Sequence, residues 1–258
     1  MAGSNEELMT FGEHLDVLRK MLFRILGVLC FLSICIFCFK STVFSCLLAP
    51  HESSFCTFKW IHELCNVVGL DFNIQSFNVR LISTELSAQF MTHLSTSVYI
   101  GFLTASPYIV YELFAFIAPA LYHNERRIAK YVVGAVYTLF ILGVLMSYFI
   151  IFPISFRFLA TYQVAESIEN VITLQSYISN FVALTFLMGL VFQMPVLTYF
   201  LGKLGFLSRS MLKSYRRHAL IVIVTVAAFI TPPDMFSLFL VALPMYSLYE
   251  VSIWLVKN

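Results

Sequence analysis

The chain has 258 residues, of which 60% are apolar and only 12% are charged, and its mean hydropathy is +0.86. Soluble domains carry about 45–50% apolar and about 25% charged residues. A soluble enzyme, a nucleic-acid binder and a disordered tail are thereby excluded, and a polytopic membrane protein remains.

Residues 1–20 are polar or mixed and include Glu6, Glu7, Glu13 and Asp16. A basic signal segment or an Arg/Ser-rich transit peptide looks different, so this stretch is expected to persist as a cytoplasmic segment. Beyond it, stretches free of Asp, Glu, Lys and Arg cover 25–39, 86–111, 131–156, 170–202, 218–233 and 235–249. The first four can make helices near the ~20 residues that span a bilayer, the first by extending past Arg24 and Lys40. The last two, at 16 and 15 residues, are expected to be short, reaching about 23–24 Å against a core of ~30 Å. Thr231-Pro232-Pro233-Asp234 separates them as a tight hairpin, because neither proline continues a helix and each pushes its predecessor out of the α region.

The connections complete the plan. Residues 41–85 mix apolar side chains (Phe55, Trp60, Leu64, Val67) with polar ones and predict an ordered extracytoplasmic cap with one or two short helices. Loops at 113–130 and 202–217 fall on the other side. Twelve of the sixteen Lys and Arg residues lie at the N-terminus, in these two loops or at the C-terminus. Only Lys40, Lys59, Arg80 and Arg157 lie on the opposite face, so both termini are expected in the cytoplasm. The expected fold is an all-α integral membrane protein: one domain over 1–258, with six helices in a concave bundle.

Few residues suggest chemistry. Cys35 and Cys38 sit inside a hydrophobic helix and are expected to pack as small apolar side chains. Cys56 and Cys65 leave a disulfide open if the outer compartment is oxidising. No phosphate-binding glycine loop, His-Glu-x-x-His or Gly-x-Ser-x-Gly occurs, so no enzyme activity, cofactor or metal is expected. His93, inside the second span, is expected to be a hydrogen-bonded tip near the interface, and Glu112 to snorkel. Gln193, just before Pro195 in the fourth span, needs a partner or a water-lined cavity, either as interhelical glue or as a polar patch that a partner helix contacts. A small-solute transporter would need a charge-lined path, against which the charge-free spans argue. An intramembrane enzyme would need a catalytic constellation, and none occurs.

One stretch is more specific: Phe114-Ala115-Phe116-Ile117-Ala118-Pro119-Ala120-Leu121-Tyr122-His123-Asn124-Glu125-Arg126-Arg127. It resembles the TatC family, the multispanning receptor of the twin-arginine protein translocase, with its Phe-Ile-x-Pro-x-Leu run followed by Glu-Arg. His14-Leu15-Asp16-Val17-Leu18-Arg19 resembles the family's N-terminal His-Leu-x-Glu-Leu-Arg, and Leu48-Ala49-Pro50 its Ala-Pro after the first helix. Tyr148-Phe149-Ile150-Ile151-Phe152-Pro153 matches its Tyr-Phe-x-x-x-Pro. Phe192-Gln193-Met194-Pro195-Val196 resembles its Phe-Glu-x-Pro-Val, and Thr231-Pro232-Pro233-Asp234 its Thr-Pro-Pro-Asp. The likeness covers about residues 11–256. Asp16 stands one residue before the family's usual Glu, which turns the carboxylate by about 100°, and Gln193 replaces a Glu.

The resemblance implies a receptor for twin-arginine signal peptides of folded cargo in the cytoplasmic (inner) membrane. It implies single-span Tat subunits (TatA/TatB type) as partners in a hetero-oligomer, membrane lipid around it, and transport driven by the protonmotive force. An arginine pair calls for fixed carboxylates, because a guanidinium fork pairs bidentately where an ammonium does not. The expected signal-peptide residues are Glu125, Phe116, Arg19 and Asp16. The expected partner-helix contacts or intramembrane polar positions are Gln193, Tyr148, Pro50 and Asp234.

Overall fold

The computed structural model describes residues 11–68, 80–117, 126–163, 170–203, 205–231 and 234–256. The chain divides into two compact units, Met1–Cys38 with Ser97–Tyr137, and Phe39–Thr96 with Thr138–Asn258.

The first unit is built on α1 (Phe11–Cys38) and the C-terminal part of α4 (Ala88–Ile117). A Cβ added to Gly101 would lie 3.1 Å from the backbone N and Cα of Ser33, so a larger residue would push the helices apart by a few tenths of an ångström and glycine favours this approach. Nearer the other end, Arg24 meets Glu112. Going from Ser33 back to Arg24 on α1 goes forward from Gly101 to Glu112 on α4, so the two helices run antiparallel. Large side chains on α1 such as Phe23, Phe31 and Ile34 remain exposed, as expected of a helix facing lipid.

The second unit begins with α2 (Lys40–Leu48), a 3-10 turn over Ala49–His51 and α3 (Cys56–Val68). The short strand β1 (Leu81–Ile82) then pairs in parallel with β2 (Ile172–Thr173). α5 (Arg126–Met146), of which the part from Thr138 belongs to this unit, passes through a π-helical stretch, Ser147–Ile151, into α6 (Phe152–Thr161). α7 (Leu174–Val191) breaks before α8 (Met194–Lys203). α9 (Arg209–Ser214), α10 (Arg216–Ile230) and α11 (Met235–Leu255) close the chain.

The core of this unit is aromatic. Phe152 meets Tyr177 and Phe181 edge-on at 5.0 and 4.9 Å, and Phe156 meets Tyr177 at 4.9 Å. Such T-shaped pairs add about 0.5–1.5 kcal/mol each beyond area burial. α3 docks through Arg157 over the Phe58 ring at 5.1 Å. Where α5 crosses α7, a Cβ on Gly143 would lie 3.0 Å from the Cα of Gly189.

The prolines set the irregular points. Each removes the N–H that its residue i−4 carbonyl would accept, and that carbonyl takes another donor. Pro107 frees the Leu103 carbonyl, to which Ser106 Oγ donates at 2.6 Å. Pro153, after the π-helical stretch, frees the Phe149 carbonyl, and Thr57 Oγ1 donates to it. Pro50 frees the Cys46 carbonyl, and the Tyr148 phenol donates to it at 2.8 Å.

Among the described residues four helical stretches are long and apolar enough to cross a membrane: Leu15–Cys38, Val133–Thr161, Leu174–Lys203 and Met235–Leu255. α4 has the length, at 30 residues, but carries Thr92, His93, Thr96, Ser97, Thr104 and Ser106. α10 has 15 residues and is short, as expected. α11 is not. It runs 21 residues, about 31 Å: the helix continues past Glu250, which a glutamate does not interrupt and which pairs with Arg216 at 2.7 Å.

Other expectations shift at their edges. α1 already includes residues 11–20 of the polar segment 1–20. α4 runs on to Ile117 and α5 includes Arg126, both inside the expected loop 113–130, whose residues 118–125 lie outside the described residues, and α9 lies within 202–217. The Thr231–Asp234 break falls between α10 and α11 as expected, while Pro232 and Pro233 themselves lie outside the described residues. Cys56 and Cys65 both belong to α3, and nine residues of helix rise set their backbones about 13 Å apart. A disulfide requires Cα atoms within about 7 Å, so this pair is not joined. Cys56 is a free thiol, as are Cys30, Cys35, Cys38 and Cys46.

Candidate functional site

Asp16, Lys20 and Arg24 recur at four-residue spacing and share one face of α1. Arg24 Nη1 lies 3.7 Å from Glu112 Oε1, so this face turns toward α4. In the antiparallel register, each further turn toward the start of α1 meets a further turn toward the end of α4. Phe116, half-buried and one turn beyond Glu112, therefore comes level with the Lys20 turn. Asp16 follows about 6 Å further along. Two of the expected signal-peptide residues, Asp16 and Phe116, thus share one end of a helical hairpin.

Asp16 is paired with Arg19 at 3.2 Å, both side chains mostly exposed. An ion pair this solvated is worth less than about 1 kcal/mol and can exchange partners. Glu125 lies outside the described residues. Glu112 does not snorkel as expected. It is buried, and its Oε1 accepts from the Tyr108 phenol at 2.7 Å while facing Arg24. Helical spacing alone predicts the Tyr108 contact, because the two residues stand four apart. The Arg24 contact joins distant parts of the chain and leaves no local signal.

The expected intramembrane positions are engaged within the chain. The Gln193 backbone N–H turns to Leu190, at 2.9 Å, instead of continuing the α pattern to Gly189. The Gln193 side chain makes up for it: Nε2 donates to the Gly189 carbonyl at 3.3 Å. Gln193 thus caps the break that Pro195 imposes. Tyr148 and Pro50 form the donor and the cause of one compensated carbonyl, Cys46 O. Asp234 caps α11, its Oδ1 accepting from Ser237 N–H at 2.6 Å. His93 is buried, edge-on to Phe44 at 5.6 Å. Among the described residues no group of three or more His, Cys, Asp or Glu side chains could hold a metal ion.

The profile of the family described as Sec-independent protein translocase protein (TatC) matches residues 13–244. The chain belongs to the TatC family. The Sec-independent protein translocase protein TatC of Blattabacterium sp. subsp. Periplaneta americana is 34% identical over 96% of this chain and 94% of its own length. That of Campylobacter jejuni is 32% identical over 95% and 92%. A crystal structure of the twin arginine translocase receptor TatC in DDM superposes with a TM-score of 0.76, at 30% identity, over 95% of this chain and 100% of that one. This TatC chain is therefore a membrane component of the twin-arginine translocase, a subunit of a protein transporter and not a catalyst.

Proposed function

We propose that this TatC chain is the signal-peptide receptor and core subunit of its translocase, with six spans, both termini in the cytoplasm and a cap over 41–85 outside. The arginine pair of a folded cargo's signal docks at the α1/α4 end, with one guanidinium on Glu125 and the Phe116 ring offering an aromatic face. Asp16 supplies nearby negative charge and exchanges its Arg19 partner for an arginine of the signal. The signal's apolar part then inserts along the bundle near Gln193. Single-span Tat subunits dock on the helices, and the protonmotive force drives passage.

The observation that carries this reading is the antiparallel register of α1 and α4, which supports a common end for Asp16 and Phe116. Twelve of sixteen basic residues on the proposed inner side support the orientation. The test is export. In cells deleted for this chain, a folded reporter with a twin-arginine signal stays inside, and the chain supplied in trans restores export. Normal export in the deleted cells would overturn the reading.

A further inference from the structure

The sequence Tyr-x-x-Tyr-Glu occurs twice, as Tyr108-Ile109-Val110-Tyr111-Glu112 in α4 and Tyr246-Ser247-Leu248-Tyr249-Glu250 in α11. Both follow a proline inside the helix, Pro107 and Pro244. Both are built alike. The first tyrosine donates to the glutamate one turn on, Tyr108 at 2.7 Å and Tyr246 at 3.1 Å. An arginine from another helix then faces the same carboxylate.

The two differ in how that arginine is held. Arg216 Nη2 donates to Glu250 Oε2 at 2.7 Å, a charge-assisted hydrogen bond. Arg24 stops 3.7 Å from Glu112, beyond hydrogen-bond length, so that charge attraction holds it without directional bonding. Burial runs the opposite way. The Glu112 side chain is 11% exposed and Glu250 28%, while Arg24 is 64% exposed and Arg216 44%. The more enclosed carboxylate has the looser, wetter partner. A carboxylate so enclosed is costly to leave unpaired and so needs a cation. Nothing in the contact requires that the cation be Arg24, whose withdrawal into solvent costs it little.

The geometry points to Glu112 as a second guanidinium seat of the signal-peptide site, filled in the empty receptor by Arg24 and taken over by one arginine of the arriving pair. This inference rests on the receptor role proposed above. Phe116 sits one turn beyond Glu112 on the same face of α4, so a guanidinium on the carboxylate has an aromatic ring beside it. Tyr108 already occupies one side of Oε1 and fixes the rotamer, leaving the remaining lone pairs for a planar fork. An exchange of one guanidinium for another leaves no buried charge bare in either state. A lysine satisfies the charge but not the fork, so the seat adds to the selection of arginine over lysine. Two seats also fit a pair. Adjacent residues of an extended segment point to opposite sides, and a single carboxylate cannot hold both guanidinium groups.

The experiment uses the full chain in lipid nanodiscs and labelled signal peptides with Arg-Arg or Lys-Lys. Arg24→Gln removes the resident competitor and is expected to tighten Arg-Arg binding about two- to fivefold, the scale of one exposed ion pair. Glu112→Gln is expected to weaken Arg-Arg binding about tenfold or more and Lys-Lys binding little, which narrows the ratio between the two. Tyr108→Phe keeps the charge and is expected to weaken Arg-Arg selectively, and it serves if Glu112→Gln fails to fold. Glu250→Gln, in the locked counterpart, is expected to leave both affinities unchanged. Unchanged or weaker Arg-Arg binding in Arg24→Gln would overturn the inference. So would an unchanged Arg-Arg to Lys-Lys ratio in a folded Glu112→Gln or in Tyr108→Phe. If either result occurs while Glu125→Gln abolishes binding, the receptor role stands and only the second seat falls. A wild-type chain that binds both peptides equally removes both.

Discussion

The Tyr148 phenol donates to the Cys46 carbonyl at 2.8 Å, across 102 residues of sequence, and that carbonyl is the one Pro50 leaves without an N–H. A tyrosine on the π-helical stretch thereby repairs a proline break after α2. Tyr148→Phe should cost about 0.5–1.5 kcal/mol, the net scale of one hydrogen bond. In a Pro50→Ala background the backbone N–H returns and the same change should cost less. Thermal melting of the four proteins in detergent checks the cycle, and strict additivity would contradict the compensation.

Close helix crossing gives a second expectation. A Cβ at Gly143 would lie 2.5 Å from the Met188 carbonyl oxygen. That obstacle is backbone and cannot rotate away, so Gly143→Ala should force α5 from α7 and cost about 1–3 kcal/mol. Nothing lies within 4 Å of the corresponding position at Gly27, where Gly→Ala should be neutral or stabilising by up to about 1 kcal/mol. Paired melting curves test the contrast, which disappears if the two variants behave alike.

The Arg216–Glu250 pair is partly exposed, so each of Arg216→Gln and Glu250→Gln should cost no more than about 1 kcal/mol. Because they remove one shared contact, the double variant should cost less than the two together. Denaturation in mixed micelles measures this, and equal additivity would show that the pair does not couple.

Since Cys56 and Cys65 share one helix, reductant should leave the melting temperature unchanged, and Cys65→Ser should not create a new reductant response. A reductant-sensitive melt that vanishes in Cys65→Ser would contradict the helical placement.

The sequence made the helical plan legible because it rests on local rules. Charge-free runs mark helices, Pro195 marks the break at Gln193, and Thr231–Asp234 marks the turn between α10 and α11. The misjudged points depend on partners far along the chain. Glu250 reads as the end of an apolar run until Arg216 is seen against it. Glu112 reads as a snorkelling acid until Arg24 and Tyr108 enclose it. Tyr148 and Pro50 read as separate motif residues, yet one repairs the carbonyl that the other leaves bare. Motif resemblance points to Asp16 and Phe116 separately, and only the α1/α4 register brings them to one end.

The most direct test of the receptor role is capture of signal peptides by the purified chain in nanodiscs, comparing Arg-Arg with Lys-Lys and wild type with Glu125→Gln. The account predicts that wild type retains the Arg-Arg peptide well above the Lys-Lys form and that Glu125→Gln retains neither. Equal retention of both peptides, or undiminished Arg-Arg capture by Glu125→Gln, would contradict it.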